Sequence, residues 1–293
     1  MKNPPRIGVM GAGLMGSGMA HRLLAAGHAV SVIAHRNRET VEALIFDGAE
    51  EAQSPAMLVH DTDALLTCLP DAERVEEVAD AVCPELRSGY IWIDTTTSIP
   101  EISAALARRL RRKGVVFADA PVTGGPVEAR AGELASLVGC HAEDYPAVAA
   151  LIAPYSKVIR RFGAPGCGHA AKLLNNLVTQ GTMALLADAY QCAMCSGIDT
   201  RALFDVMIMG AACSGTLKKA VGPALEGHYD GARFSIEHAA KDLRYARDLV
   251  ASIDPMRVNL ASAAAEKLAR HVNEGRGSRF VSEMLDPHFE ETR

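Results

Sequence analysis

The strongest constraint on the fold lies near the N-terminus, in the segment IGVMGAGLMG at residues 7–16. A short apolar run, which predicts a buried strand, passes directly into the spacing G-x-G-x-x-G and then into a helical pattern over 14–26. Gly11 suits a tight turn, Gly13 a close approach of backbone N–H groups to a pyrophosphate, and Gly16 close packing of helix on strand. The context therefore predicts a dinucleotide at a helix N-terminus. The residues expected to line it are Gly11, Ala12, Gly13, Leu14, Met15 and Gly16.

Short apolar runs alternate with helical patterns over the first half of the chain, as in βαβ units. The runs that predict strands lie at 7–11, 29–34, 64–70, 90–95, 115–121, 134–139 and 157–163. After the glycine-rich segment GAPGCGHAAK the alternation stops, and a helical pattern begins at about His169 and extends to Cys195. The sequence predicts an α/β protein: a Rossmann-type doubly wound sheet over 1–163, followed by an all-α domain over 164–293.

Composition excludes several function classes. The chain has 293 residues, 49% of them apolar, and its 30 basic against 35 acidic side chains give a net charge of −5. This balance leaves no excess positive charge for holding a polyanion, so we expect no nucleic-acid partner. No run approaches about 18 uncharged apolar residues, and prolines stand where the apolar core of a signal peptide would begin. We therefore expect neither export nor a membrane span.

The seven cysteines are odd in number and scattered, which favours free thiols in a reducing cytoplasm. Cys192 and Cys195 have C-x-x-C spacing, but no second pair follows at the distance typical of a zinc ribbon, and the pair falls in a helical pattern. We expect a cytoplasmic protein without a metal site.

Basic residues stand where the second strand ends. An acidic residue about 20 positions beyond the last glycine would bind the ribose 2′-hydroxyl of NAD, but this chain reads His35-Arg36-Asn37-Arg38 there. Because a guanidinium can bind a 2′-phosphate with two hydrogen bonds, we expect NADP(H) to be preferred over NAD(H). Arg36 would be the principal contact and Arg38 a secondary one. The alternative is that these arginines are merely solvated.

Three further segments carry polar residues in patterns that point to chemistry. Lys172, Asn176 and Gln180 recur at i, i+4 and i+8 and share one face of a largely apolar helix. A partly desolvated lysine has a lowered pKa and can donate and accept a proton near neutral pH. Asn176 would hold the substrate oxygen. The alternative for Lys172 is that its side chain extends into solvent.

The turn Thr123-Gly124-Gly125 follows a strand, and its hydroxyl and N–H groups can bind a small carboxylate, although a plain turn is the alternative. In the third segment, Lys241 is followed by Asp242, which could orient it, and His238 lies one turn earlier on the same face. By themselves, Lys241 and Asp242 would be an ordinary surface pair.

In this order, the motifs resemble the β-hydroxyacid dehydrogenase family, which includes 3-hydroxyisobutyrate dehydrogenase and tartronate semialdehyde reductase. The matching segments span nearly the whole chain: 11–16, 27–36, 69–70, 94–97, 119–125, 168–176 and 241–243. The resemblance implies a Rossmann-type domain, similar to that of 6-phosphogluconate dehydrogenase, and a helical domain through which dimers or tetramers form. It places the catalytic lysine on Lys172 and the amide on Asn176. Further implied contacts with substrate or cofactor are Thr123, Gly124, Gly125, Lys241, Leu69, Pro70 and Thr97.

The chain departs from the family pattern in ways that concern the substrate. Thr123 stands where serine is common and His238 where leucine is common, and the segment 211–215 lacks bulky residues. The prediction is an NADP(H)-dependent oxidoreductase that interconverts a small 3-hydroxy acid and its semialdehyde, with Lys172 as general acid/base, in a homodimer or homotetramer. The alternatives are an imine reductase-like enzyme, against which Lys172 counts, and a non-catalytic NADPH-binding protein.

Overall fold

The computed structural model describes residues 4–34 and 38–290. The chain divides into two compact units, Met1–Lys172 and Leu173–Arg293. The boundary expected between 163 and 164 coincides with the end of the last strand and stays a prediction. Among the described residues, none of the helices is both long enough and apolar enough to cross a membrane.

The first unit contains a mixed sheet. Its strands in the described residues are β1 Ile7–Met10, β2 Val30–Val32, β3 Glu50–Glu51, β4 Ala64–Thr67, β5 Ile91–Asp94, β6 Val116–Asp119, β7 Val122–Thr123, β8 Leu134–Gly139 and β9 Ser156–Gly163. Strands β3, β2, β1, β4, β5 and β6 lie in that order and are all parallel, and β8 continues the sheet antiparallel to β6 and β7 and parallel to β9. This order confirms the Rossmann-type fold, in which ligands bind where the strand order reverses beside β1.

Helices connect these strands: α1 Leu14–Ala25, α2 Arg38–Phe46, α3 Pro55–Asp61, α4 Ala72–Val82, α5 Pro100–Arg111, α6 Pro126–Ala131 and α7 Tyr145–Ile152. Alternate residues of the central strands enter two separate cores. Leu66 packs in a cluster with Leu23 of α1, whereas Leu65 packs in a second cluster with Val75 of α4 and Leu110 of α5. Because both faces are covered, β1 and β4 are buried along their whole length, as their continuous apolar runs predict.

The predicted strands agree with the structure where the apolar run and the ladder coincide, as at Leu134–Gly139. The strand predicted at 64–70 is too long, because β4 ends at Thr67 and the last three residues belong to a loop. The sequence missed β3 and β7, two-residue strands without an apolar run. The edge strand β3 joins β2 through backbone pairing alone, with both of its glutamates exposed.

The second unit is helical, as expected. Its helices are α8 Cys167–Cys195, which begins in the first unit, α9 Thr200–Met209, α10 Gly222–Ala224, α11 Ile236–Ile253 and α12 Asn259–His271. A π-helical turn at Leu217–Val221 precedes α10. The core of this unit joins Leu186 of α8, Leu243 of α11 and Leu268 of α12. Within the described part of the unit, β pairing is limited to an isolated bridge between Ser235 and Phe280.

Candidate active site and dinucleotide cradle

The glycine loop between β1 and α1 is closely packed at two of its glycines and open at the third. Gly11 has φ +98°, and a Cβ there would lie 2.1 Å from the Cys68 carbonyl oxygen. A Cβ on Gly16 would lie 1.9 Å from the Gly11 carbonyl oxygen, whereas one on Gly13 would meet no atom within 4 Å. Gly11 and Gly16 therefore permit close packing, and Gly13 borders open space. Because Gly13 is the N-cap of α1 and supplies no side-chain cap, the residues fit a phosphate at this helix N-terminus.

The start of α2 is tied to this loop, since the Thr40 hydroxyl donates to the Ala12 carbonyl oxygen at 2.6 Å. Arg38 donates to both carboxylate oxygens of Glu51 and to Glu42, each at 3.1 Å. These carboxylates raise the pKa of Arg38 above its ordinary value. A 2′-phosphate would therefore compete with Glu51 for Arg38. The expected contacts His35 and Arg36 lie outside the described residues.

Three other predicted cofactor contacts lie just beyond the carboxyl ends of β4 and β5. Leu69 and Thr97 are half-buried and Pro70 is exposed. The Leu69 N–H donates to the Thr96 hydroxyl at 3.0 Å, which joins the two loops. Because β4 is the neighbour of β1 across the point where the strand order reverses, these loops lie at the edge where Rossmann-type sheets bind their ligands.

Strands β5 and β6 each end in a fully buried aspartate, Asp94 and Asp119. Neither was among the site residues predicted from the sequence. Asp94 accepts hydrogen bonds from the Thr67 hydroxyl at 2.8 Å and the Thr96 N–H at 3.1 Å. Asp119 accepts from the backbone N–H of Gly166 at 2.7 Å and of His169 at 2.8 Å. Burial is the main cause that raises the pKa of Asp119 to about 7. The sequence carried one signal for these two buried carboxylates, because each of the two apolar strands ends in an aspartate.

His169, in the first turn of α8, is buried beside these carboxylates. Its Nδ1 lies 2.7 Å from the Ser103 hydroxyl, and its Nε2 lies 3.9 Å from Asp94 Oδ2. The first turn of α8 is therefore hydrogen-bonded to Asp119 of β6 and to Ser103 of α5 and lies beside Asp94 of β5, through polar groups removed from water.

The predicted carboxylate-binding turn follows β7. Gly124 has φ +116°, and a Cβ there would lie 2.8 Å from Leu134 Cδ2, so glycine is required. The Gly125 N–H already donates to Glu128 Oε2 at 2.8 Å in the first turn of α6. One amide of the turn thus binds a carboxylate from the chain itself, and a substrate carboxylate would compete with Glu128 for it. Thr123 is half-buried.

The helical unit brings Asn176 and Lys241 together through one carboxylate. Asn176 is buried, and its Nδ2 donates to Asp242 Oδ2 at 2.6 Å. Lys241 Nζ lies 3.1 Å from Asp242 Oδ1 and 5.3 Å from the centre of the Tyr245 ring. Lys241 is half-buried, with 15% of its side chain exposed, and Asp242 is buried at 2%, so the pair is more shielded from water than an ordinary surface one. Lys172, one turn before Asn176 on α8, is half-buried.

His238 lies one turn before Lys241 on α11, as its spacing predicts. It lies in the exposed first turn of α11, where its Nδ1 is 2.6 Å from the hydroxyl of the N-cap Ser235 and its ring stacks on Phe234 at 6.1 Å. These contacts hold the imidazole at the helix start. A contact between His238 and the substrate stays a prediction.

His271, Glu274 and Glu290 form a cluster in the second unit that could hold a metal ion. A guanidinium lies among these side chains instead: Arg276 donates to Glu290 at 3.0 Å and also to Glu274. The positive charge that the two carboxylates need is thus supplied by the chain itself.

Comparison with known proteins agrees with this geometry. The family model of the NAD binding domain of 6-phosphogluconate dehydrogenase matches residues 6–163. The chain belongs to the β-hydroxyacid dehydrogenase family. A second model, the NAD-binding domain of NADP-dependent 3-hydroxyisobutyrate dehydrogenase, matches residues 166–287.

Curated relatives and solved structures extend over most of the chain. L-threonate dehydrogenase of Cupriavidus necator is 33% identical over 76% of this chain and 76% of its own length. The mitochondrial 3-hydroxyisobutyrate dehydrogenase of Mus musculus is 31% identical over 86% of this chain and 78% of its own length. The structure of Mycobacterium tuberculosis 3-hydroxyisobutyrate dehydrogenase with L-serine has a TM-score of 0.84 at 27% identity, covering 96% of this chain and 98% of that one. The family is one of NAD(P)-dependent 3-hydroxyacid dehydrogenases.

Proposed function

We propose that this β-hydroxyacid dehydrogenase uses NADP(H) to interconvert a small 3-hydroxy acid and its semialdehyde, with Lys172 as the general acid/base. The observation that carries the proposal is the pairing of Lys172 and Asn176 one turn apart on α8, with the Asn176 amide fixed by a buried carboxylate. The bound dinucleotide supplies or accepts the hydride. The chain supplies the proton and holds the two ends of the substrate.

The contacts of Asn176 support the role proposed for it. Asn176 Nδ2 donates to Asp242, and Oδ1, which accepts from Asn175 Nδ2 at 3.3 Å, keeps a second lone pair that can accept from a substrate hydroxyl. Lys172 donates a proton to the substrate oxygen during reduction and removes it during oxidation. General acid/base work of this kind contributes roughly 10²- to 10⁴-fold in rate.

The proposed donors for the substrate carboxylate are three neutral groups and one cation. The Thr123 hydroxyl and the Gly124 N–H are the first two neutral donors, and Lys241 is the cation. The Gly125 N–H joins them where the substrate displaces Glu128. Charge-assisted hydrogen bonds favour a carboxylate here over a neutral end group.

NADPH consumption, measured over a panel of small 3-oxo acids and a cyclic imine, tests this function. We expect turnover of a 3-oxo acid, and a loss of at least about 100-fold in kcat in Lys172→Met with NADPH affinity unchanged. Lys218→Met, which removes an exposed lysine of the second unit, is the matched control. Unchanged kcat in Lys172→Met would contradict the proton-transfer role. Turnover of the imine alone would favour an imine reductase, and tight NADPH binding without turnover a non-catalytic protein.

The preference for NADP(H) is supported by Arg36 and Arg38 and by the description of the second matching family model. Because Arg38 is held by Glu51, we assign the main 2′-phosphate contact to Arg36. Dissociation constants for NADPH and NADH decide the matter in the wild type and in Arg36→Asp. We expect the wild type to prefer NADPH and the variant to lose that preference. A wild type that prefers NADH would overturn the assignment.

We also propose that the chain is a homodimer or homotetramer of the cytoplasm. Leu174, Val178 and Leu185 are 46%, 68% and 71% exposed along one stripe of α8, which a second copy would cover. Within the described residues the seven cysteines form no disulfide, as in a reducing compartment. Light scattering tests the first point, and a monomer would contradict it. Cell fractionation tests the second.

A further inference from the structure

We propose that Asp119 is a positioning residue for the reaction: its carboxylate fixes the first turn of α8, and with it Lys172, to the strand that leads into the Thr123 turn. The inference rests on the proposed function of Lys172. Asp119, Thr123 and Lys172 all belong to the first unit, so the argument concerns one compact body.

Both oxygens of Asp119 are used. Oδ1 accepts the Gly166 N–H at 2.7 Å and Oδ2 accepts the His169 N–H at 2.8 Å. Two bonds from one rigid, planar group fix the start of α8 in both translation and rotation. Lys172 follows His169 at i+3, so its Cα is set by the turn that Asp119 holds. Asp119 also ends β6, and the Thr123 turn begins only a few residues later.

The surrounding chain makes room for this contact with two glycines. A Cβ on Gly139 would lie 2.5 Å from Asp119 Oδ1. A Cβ on Gly168 would lie 2.8 Å from Asp119 Oδ2 and 2.6 Å from the Asp119 carbonyl oxygen. Glycine at both positions therefore lets the strand β8 and the first turn of α8 approach the carboxylate closely.

Charged and hydrogen-bonding groups surround Asp119 from β5, from α8, from the residue after β8 and from β9. Burial is the largest cause that raises the pKa of Asp119, the backbone N–H groups of Gly166 and His169 lower it, and the negative charge of Asp94 on β5 raises it further. Cys140, just after β8, has a pKa raised to about 11, mainly by burial, and Arg161 donates to its carbonyl oxygen. Burial of Asp119 outweighs its hydrogen bonds, so its pKa is about 7. Protonation turns one oxygen into a donor, which weakens one of the two bonds that hold α8.

The test is the pH dependence of kcat in the direction of reduction, where Lys172 must be protonated and can produce only an alkaline limb. We expect wild-type kcat to fall below about pH 7. Asp119→Asn should lower kcat by about 10- to 100-fold, because its amide can accept only one of the two N–H groups. It should leave KM and the NADPH dissociation constant within about twofold and should lack the acidic limb.

Ser103→Ala is the matched control, since it alters the same buried layer through the His169 ring without touching either N–H bond. It should keep the wild-type kcat and the acidic limb. An equal loss of kcat in both variants, or an acidic limb that persists in Asp119→Asn, would show that Asp119 is only structural.

A measurement on the wild type guards against an Asp119→Asn variant that fails to fold. The amide protons of Gly166 and His169 should change NMR shift with a common midpoint near pH 7. Amide shifts that stay constant through this range would overturn the inference. The outcome is separable from that of the proposed function: absence of turnover with every 3-oxo acid contradicts the function, while the amide titration still tests the anchor.

Discussion

The two units hold their buried polar groups in different ways. In the sheet unit, the carboxylate of Asp119 binds main-chain N–H groups at the start of α8, and that of Asp94 binds the Thr96 N–H. In the helical unit, Asp242 binds the side chains of Asn176 and Lys241. The arrangement in the sheet unit uses backbone N–H groups that have no partner within their own element, as at the end of a strand or the start of a helix. The second depends on two helices that meet only in the folded unit.

This difference teaches where each unit is vulnerable. A backbone N–H remains in place when side chains around it change, so an anchor on it depends on the carboxylate and on the room that glycines leave. A network of side chains loses two contacts when its central member is removed, and the groups left behind stay buried. The helical unit should therefore suffer most from a single polar substitution.

Among the substitutions, removing the centre of that network should have the largest effect on stability. Asp242→Ala leaves the Lys241 ammonium and the Asn176 amide without their shared partner, so we expect the free energy of unfolding of the helical unit to fall by about 3 kcal/mol. Urea unfolding followed by circular dichroism measures this change. Fluorescence of Trp92, the single tryptophan of the chain, reports on the sheet unit separately and should change little.

Asp248→Ala is the control for this prediction, since it removes an exposed carboxylate that pairs with Arg247 on the same helix. It should change the free energy of unfolding by less than about 1 kcal/mol. A loss of equal size in both variants would show that the Asp242 network adds nothing beyond an ordinary surface pair, and the contrast between the units would fail.

The same contrast explains how much the sequence could predict. The glycine loop was predictable because Gly11, Gly13 and Gly16 are separated by fixed short intervals and act through their own backbone. The order of elements followed from apolar runs and capping residues. By contrast, Asn176 and Asp242 are 66 positions apart, and their hydrogen bond follows only from the packing of α8 and α11.

Some local contacts also could not be predicted from the sequence. The capture of the Gly125 N–H by Glu128 depends on a rotamer, not on spacing alone. Asp119 and Asp94 ended their strands visibly, but their bonds to the start of α8 and to Thr67 arise from neighbouring elements of the folded unit. Helical spacing placed His238 one turn before Lys241 on α11, but the bond between its ring and the hydroxyl of the N-cap Ser235 depends on the rotamer of the imidazole.

Two glycine substitutions test how far the sheet unit depends on close packing of its backbone. Gly16→Ala forces a Cβ to within 1.9 Å of the Gly11 carbonyl oxygen, so we expect a loss of about 2 kcal/mol in the stability of the sheet unit. Gly13→Ala meets no atom of the chain within 4 Å and has an ordinary φ of −73°. It should unfold like the wild type but weaken dinucleotide binding by about tenfold, about 1.4 kcal/mol.

Urea unfolding by Trp92 fluorescence and cofactor titration measure the two effects of these glycine variants. Each variant is the control for the other, since both add one methyl group to the same loop. Normal NADPH and NADH affinity in a folded Gly13→Ala would contradict the assignment of the open space to the pyrophosphate.

The pH dependence of the free energy of unfolding tests whether the buried carboxylate of Asp119, which binds the backbone at the start of α8, carries a charge that burial makes unfavourable. Asp119 has a folded-state pKa of about 7 against an ordinary 3.8, so the folded state binds more protons between these values. The free energy of unfolding should therefore decrease as pH rises from about 4 to about 7, by at most about 1.4 kcal/mol per pH unit. Asp119→Asn cannot titrate, so the difference between wild type and variant isolates this slope. Parallel stability curves would contradict the raised pKa.

The smallest expected effect lies where a side chain of the sheet unit occupies a backbone donor that the substrate also needs. Glu128→Gln keeps an acceptor for the Gly125 N–H but removes a negative charge beside the proposed carboxylate site. We expect KM for a carboxylate substrate to fall by about threefold, about 0.7 kcal/mol, with kcat unchanged. Glu133→Gln, which removes an exposed charge paired with Lys157, controls for net charge and should leave KM as it is. An equal decrease in both variants would mean that overall charge, rather than competition at the turn, sets substrate affinity.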